Sequence, residues 1–234
     1  MSTYTDTVHV DGGAFQMPLW APERGSGPGL LLIQEIFGVG TYIRKVAEDL
    51  AGLGYVVGAP DLFWRLQRNW AAEHDEAGLA QSLDLSSKFS FETGVSDCAA
   101  AFERLAELPE VNGGVGLIGF CLGGSLAHAV AAETGPAAVV SFYGSKVPAL
   151  VDLLDAITCP AQYHFGGEDP YIPREKVAAV EKAAAGRPLV EVHVQESAGH
   201  AFHNFDAPHF HDAPAAEAAW RLTVDFLRRH LPVS

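Results

Sequence analysis

Residues 116–125 read Gly-Leu-Ile-Gly-Phe-Cys-Leu-Gly-Gly-Ser, and this stretch decides how the chain folds around it. The apolar residues before Gly119 are typical of a buried strand, and the small residues after Gly123 are typical of a helix. Between them lies Gly119-x-Cys121-x-Gly123, the pattern of a nucleophile elbow with Cys in the position of Ser. A strand that turns at once into a helix leaves no room for side chains two residues either side of the turn. Glycine is therefore expected at both places.

The elbow predicts a reactive sulfur. Such a turn exposes the side chain of Cys121 at the carboxyl end of the strand and points the N-terminus of the next helix at it. That position favours a thiolate, or an oxyanion bound beside it. The alternative is a buried structural cysteine in a Gly-rich turn.

The composition indicates a globular α/β protein. The chain has 234 residues, which suits one domain spanning 1–234. Its hydrophobic content of 48% and charged content of 19% are those of a folded protein with a large core. The net charge of −14 argues against nucleic acid or an anionic membrane surface as a partner.

The chain shows no signal for export or membrane insertion. No apolar run reaches the length of a membrane span, and residues 1–6 lack the basic and apolar parts of a secretory signal. Three cysteines do not make a disulfide framework. The sequence therefore predicts a cytoplasmic protein, without a membrane partner.

Strands and helices alternate along the chain. The predicted strands are 7–10, 14–20, 29–33, 55–59, 115–119, 137–142, 161–165 and 189–194. The predicted helices are 41–53, 91–108, 125–132, 173–185 and 214–230. Apolar residues recur with no strong period in residues 60–90. This alternation predicts a mostly parallel central sheet with helices on both faces.

Two polar residues follow later strands in the order that a Cys nucleophile requires. The nucleophile needs a base, and the base needs an acid that orients it. Asp169 and then His200 each follow a strand, so both are expected at the crevice where the strand ends meet. Glu168 is an alternative acid because it lies nearer the strand end. The predicted triad is Cys121, Asp169 and His200.

At this point the chain resembles the dienelactone hydrolases, over about residues 20–231. The motifs that carry the resemblance are Gln-Glu-Ile-Phe-Gly at 34–38, Gly-Phe-Cys-Leu-Gly-Gly at 119–124, Gly166-x-x-Asp169 with Pro173, and Ala-Gly-His-Ala-Phe at 198–202. The resemblance implies an α/β-hydrolase fold. It also implies cleavage of a lactone or small carboxylic ester through an acyl-thiol intermediate, with no cofactor and no metal.

The resemblance assigns roles to residues at the matching positions. It makes Cys121 the nucleophile, Asp169 the acid and His200 the base. It places the main-chain amides of Ile36 and Leu122 in the oxyanion hole.

The resemblance also places Glu35 among the catalytic residues, beside the thiol. It implies that the resting thiol is neutral and hydrogen-bonded to Glu35, which takes the thiol proton when the sulfur turns toward His200. This predicts slow alkylation of Cys121 in the absence of substrate. The alternative is that Glu35 is a solvated loop carboxylate.

One departure from the family concerns the substrate. Members of the family hold the substrate carboxylate with arginines, one of them shortly after the catalytic His, but residues 200–205 contain no Arg. Arg65, Arg68 and Lys88 are the remaining candidates for anion binding. The expected partner is a small-molecule ester or lactone, and the expected assembly is a monomer or small homo-oligomer. The alternatives are a broader carboxylesterase acting on uncharged esters and a ligand-binding protein without turnover.

The remaining candidates have structural interpretations. Cys98 lies on an apolar helix face and Cys159 at a strand entry, so both are predicted to be structural. The cluster of His203, His209 and His211 matches no zinc spacing. The sequence also contains a group of aromatic residues, Phe63, Trp64, Trp70 and Phe89. These side chains are predicted to pack on the core, and the alternative is that they line the substrate pocket.

Overall fold

The centre of the molecule is an eight-stranded sheet, as seen in a computed structural model that describes residues 1–233. Its strands are β1 (Ser2–Val10), β2 (Gly13–Ala21), β3 (Gly27–Ile33), β4 (Val56–Gly58), β5 (Val111–Phe120), β6 (Val139–Phe142), β7 (Ala161–Gly166) and β8 (Val190–Gln195). Their order across the sheet is β1-β2-β4-β3-β5-β6-β7-β8. β2 is antiparallel to both its neighbours, and the other pairs are parallel, which confirms the predicted sheet.

Helices connect the parallel strands. They are α1 (Thr41–Gly52), α2 (Glu76–Ser87), α3 (Phe91–Ala106), α4 (Leu122–Thr134), α5 (Arg174–Ala184) and α6 (Ala213–His230), with a 3-10 segment at Val147–Asp155. α1 leads from β3 out to β4, whereas α3 leads back from β4 to β5. Right-handed crossovers therefore put these two helices on opposite faces. No helix within residues 1–233 has the length and apolar character needed to span a bilayer.

The strand order reverses between β3 and β5, and this reversal positions the site. Residues 29–33 of β3 and 115–120 of β5 are continuous runs of apolar residues and glycine, and residues 30–33 are completely buried. Each fully buried Leu or Ile side chain contributes about 1.5–3 kcal/mol to folding, which makes this the rigid part of the sheet. A crevice opens at the carboxyl ends of the strands where the order reverses.

The structure differs from the predicted elements chiefly within residues 60–90, which contain α2. This helix buries Gly78, Ser82 and Leu85 and leaves Leu83 55% exposed, so it has no apolar stripe that a periodicity search could find. Asp75 caps its N-terminus by accepting a hydrogen bond from the Gly78 N–H at 2.7 Å. The 3-10 segment was likewise absent from the predicted elements.

Candidate active site

Cys121 lies in the turn between β5 and α4, with backbone angles φ 53° and ψ −113°. Its N–H donates a hydrogen bond to the carbonyl of Phe142 on the next strand, at 3.0 Å. A Cβ atom on Gly119 would lie 2.0 Å from the carbonyl oxygen of Gly123, and one on Gly123 would lie 2.1 Å from that of Ile33. The two glycines are therefore required by close backbone approach, as the motif predicts.

The His200 ring joins the sulfur to a carboxylate. Its Nε2 atom lies 3.2 Å from Sγ of Cys121, and its Nδ1 atom lies 2.7 Å from Oδ2 of Asp169. Oδ1 of Asp169 accepts the backbone N–H groups of Tyr171 and Ile172, at 2.8 and 3.2 Å. The structure thus brings the three predicted triad residues together.

No hydrogen bond within residues 1–233 joins the carboxylate of Glu168, the alternative acid, to the His200 ring, whose Nδ1 is paired with Asp169. Glu168 is exposed, whereas Asp169 is buried. The backbone N–H of Glu168 pairs with the carbonyl of Ala198, and this contact turns the next residue inward. The geometry therefore favours Asp169 as the orienting acid.

His200 lies in an unusual electrostatic setting. Burial alone would lower the pKa of His200, but the charge of the Cys121 sulfur and the hydrogen bonds with Asp169 and Cys121 outweigh it and raise that pKa to about 10. The N-terminus of α4, which begins at Leu122, adds positive potential beside the sulfur. The sulfur of Cys121 thus lies between the His200 ring and a helix N-terminus, two sources of positive potential.

Glu35 is buried in the wall of the same crevice, directly after β3. Its Oε1 atom accepts hydrogen bonds from Nε2 of His74 at 2.6 Å and from Nδ2 of Asn204 at 2.9 Å. The structure differs here from the expectation that the resting thiol is hydrogen-bonded to Glu35. The sulfur of Cys121 instead contacts Nε2 of His200.

His74 is a site residue that the sequence reasoning missed. Its side chain is 3% exposed, and its Nδ1 atom lies 3.2 Å from Oδ2 of Asp206. Burial lowers the pKa of His74, but the hydrogen bond and charge of Glu35, with those of Asp206, outweigh it and leave that pKa raised. His74 lies in the segment without period. The only signal for it was a His beside polar residues, Glu73 and Asp75.

The predicted oxyanion-hole residues lie on either side of the sulfur. Leu122 is the first residue of α4, so its N–H is a free donor position at the helix N-terminus. Ile36 lines the cavity at Cys121, and its carbonyl accepts the indole N–H of Trp70 at 3.1 Å. Their role as oxyanion donors stays a prediction.

A cavity of about 190 Å³ opens onto the sulfur. Its polar lining comes from Cys121, His200 and Glu35 together with His74 and Asn204. The other lining residues are Ile36, Phe37, Leu79, Leu83, Ser145, Tyr171, Ala201, Ala207 and Phe210. This volume suits a small ester or lactone.

The aromatic side chains at positions 63, 64, 70 and 89 pack in hydrophobic clusters rather than in the wall of this cavity. Phe63 and Trp70 form a buried cluster with Leu85, and Phe89 packs against it. Trp64 belongs to the main core. The interpretation as core packing therefore holds for these side chains, and none of the four lines the cavity at Cys121.

The candidate anion-binding cations are engaged elsewhere. Arg65 pairs with Asp97, Arg68 donates to the carbonyl of Ala14, and Lys88 pairs with Asp84. None of these three cations lines the cavity at Cys121.

The two remaining cysteines are buried, and His203 and His211 form hydrogen bonds within the fold. Burial raises the pKa of the thiols of Cys98 and Cys159, in the latter case to about 11. Nδ1 of His203 bonds to the Tyr42 hydroxyl at 2.8 Å, and Nδ1 of His211 bonds to the carbonyl of Phe202. Within residues 1–233, no group of three or more His, Cys, Asp or Glu side chains is placed to hold a metal ion.

Comparison with known proteins gives consistent matches. The model of the dienelactone hydrolase family matches residues 15–231. A carboxymethylenebutenolidase from a Pseudomonas species is 33% identical over 233 residues, covering 98% of this chain and 97% of the relative. Carboxymethylenebutenolidase 1 from Cupriavidus pinatubonensis is 35% identical and covers 97% of each chain.

A solved structure shares the fold. The dienelactone hydrolase-like promiscuous phosphotriesterase from metagenomic libraries superposes with a TM-score of 0.81 at 23% identity, over 100% of this chain and 99% of that one. The predicted α/β-hydrolase fold is thereby confirmed. From the family match and the curated relatives, the chain belongs to the dienelactone hydrolase family and is an enzyme of that hydrolase type.

Proposed function

We propose that this enzyme cleaves a lactone or small carboxylic ester by attack of the Cys121 sulfur, through an acyl-thiol intermediate. The observation that supports the proposal most is the His200 ring, with the sulfur at 3.2 Å on one nitrogen and the Asp169 carboxylate at 2.7 Å on the other. The names of the curated relatives, carboxymethylenebutenolidases, support a lactone or ester as the substrate class.

In the acylation step, the thiolate of Cys121 attacks the carbonyl carbon and forms an S–C bond. The carbonyl oxygen becomes an oxyanion, which the N–H groups of Ile36 and Leu122 stabilise. The C–O bond to the leaving alkoxide then breaks. The leaving oxygen takes the Nε2 proton of His200.

In the deacylation step, neutral His200 takes a proton from water, and the resulting hydroxide attacks the thioester. The S–C bond breaks, the acid is released and the thiolate forms again beside the imidazolium. Asp169 holds the ring in the required tautomer and stabilises its charge throughout.

Glu35 contributes to this site as a positioning residue. The hydrogen bonds from His74 and Asn204 fix its side chain, and Glu35 directly precedes Ile36 in the chain. A displaced Glu35 would shift the Ile36 N–H, and small displacements of an oxyanion donor reduce catalysis strongly.

Alkylation tests the nucleophile. The enzyme is titrated with iodoacetamide, and the modified peptides are mapped by mass spectrometry. We expect activity on a chromogenic ester to fall in proportion to modification of Cys121, with Cys98 and Cys159 unmodified because they are buried. Full activity in protein fully alkylated at Cys121 would overturn the proposal.

A further inference from the structure

Much of the lining of the cavity at Cys121 is apolar or aromatic. One wall comes from α2, and the opposite wall comes from the segment just before α6. The apolar side chains are Phe37, Leu79, Leu83, Tyr171, Ala207 and Phe210. Leu83 and Tyr171 are 55% and 61% exposed, so the apolar surface continues to the mouth of the cavity. This surface favours an apolar group on the substrate.

Both basic side chains that line the cavity, His74 and His200, are already paired with carboxylates. Among the described residues, those that line it include neither Arg nor Lys. His74, the one lining His apart from the triad ring, lies between the carboxylates of Glu35 and Asp206. An anionic substrate group that enters here therefore gains no free cation and lies close to the buried carboxylate of Glu35, which lines the cavity.

We propose that the cavity takes a neutral lactone or ester with an apolar substituent and discriminates against one that carries a carboxylate. The inference rests on the proposed function and specifies its substrate class. Hydrophobic contact with α2 and Phe210 would hold the neutral group, whereas a carboxylate would lose hydration without a partner.

A matched pair of substrates tests the charge preference. Carboxymethylenebutenolide and its methyl ester contain the same lactone ring and differ by one negative charge at neutral pH. Ring opening is followed by ultraviolet absorbance, with the rate in buffer subtracted. We expect kcat/KM for the methyl ester to be at least ten times that for the acid. Equal values, or a preference for the acid, would overturn the inference.

Variants at Leu83 test whether charge is the cause. Leu83→Arg places a cation at the cavity mouth and should raise kcat/KM for the acid relative to the methyl ester several-fold. Leu83→Gln, a neutral polar control at the same position, should leave that ratio near the wild-type value. Leu189→Arg adds the same charge at a 46% exposed position outside the cavity and should also leave it unchanged. An unchanged ratio in Leu83→Arg would overturn the inference.

The same assays separate the two proposals. If the wild-type enzyme cleaves neither of these lactones nor a neutral chromogenic ester, or if Cys121→Ala opens the methyl ester as fast as wild type, the proposed function fails. If Cys121-dependent opening is found but the acid is preferred, only the charge inference fails.

Discussion

Nε2 of His74 lies 2.6 Å from Oε1 of Glu35, although the two residues are 39 positions apart, and both side chains are buried. The contact is supported by the backbone, because the Ala72 N–H donates to the carbonyl of Phe37 at 3.0 Å. The Phe37 ring also packs against the His74 ring, with centroids 4.1 Å apart and the ring planes tilted by 33°. The segment before α2 therefore braces the loop that carries Ile36.

Removal of either partner of this buried pair should destabilise the fold. Glu35→Gln or His74→Gln removes one charged member of the buried pair, and loss of one member of such a pair costs about 3–5 kcal/mol. The free energy of unfolding, measured by urea denaturation, should fall by this order in each single variant. The double variant should lose clearly less than the sum of the two. Additive losses would contradict the coupling.

The same variants test the positioning role of Glu35. Glu35→Gln should lower kcat on a neutral ester while the alkylation rate of Cys121 stays near the wild-type value, because the sulfur contacts His200. The family resemblance, by contrast, implied that Glu35 protects the thiol and that wild-type Cys121 is alkylated slowly. An alkylation rate that rises markedly in Glu35→Gln would instead identify Glu35 as a partner of the thiol.

Cys121→Ala should abolish ester hydrolysis. Loss of the nucleophile of such a triad typically lowers kcat by roughly four to six orders of magnitude. The fold should survive, because the substitution removes one sulfur from a partly exposed turn. Cys98→Ala and Cys159→Ala are the controls and should retain activity. Hydrolysis at the wild-type rate by folded Cys121→Ala would exclude Cys121 as the nucleophile.

Asp169→Asn should lower kcat by about four orders of magnitude, since the amide cannot hold the His200 ring in the required tautomer. KM should change little. The matched control is Glu168→Gln, which removes a carboxylate from the adjacent exposed position and should leave kcat unaffected. The reverse pattern would assign the acid to Glu168.

The activity should decline at alkaline pH. Because the pKa of His200 is about 10, its ring can protonate the leaving group below that pH and loses this ability above it. The profile of kcat/KM, corrected with Cys121→Ala, should therefore fall with a midpoint near pH 10. The raised pKa also stabilises the fold fully below the ordinary His value, and that contribution is lost as pH rises toward 10. Asp169→Asn should move the midpoint to lower pH.

Gly123→Ala should be severely disruptive, because its Cβ would lie 2.1 Å from the carbonyl oxygen of Ile33. Either the turn moves and activity is lost, or the protein fails to fold, as thermal unfolding would show. Gly52→Ala in α1 is the control, because nothing lies within 4 Å of its added Cβ. It should be neutral or stabilising by about 0.5–1 kcal/mol. Full activity in Gly123→Ala would contradict the close approach.

The sequence by itself determined the strands of the central sheet and the elbow. Continuous apolar runs identify buried parallel strands without knowledge of their neighbours. The glycines at 119 and 123 identify a turn whose backbone leaves no room for a Cβ. These signals are local, so they are readable from one chain. Cys121, Asp169 and His200 could be grouped from the sequence because each follows a strand, and the carboxyl ends of parallel strands share one edge of the sheet.

Only the tertiary structure decided which side chains surround the sulfur. α2 escaped detection because it has no apolar stripe, and His74 because its partners, Glu35 and Asp206, come from distant loops. The choice between Asp169 and Glu168 depended on which carboxylate the turn after β7 directs inward. Hydrogen bonds between distant segments fix these directions, and neither hydrophobic periodicity nor residue spacing contains that information.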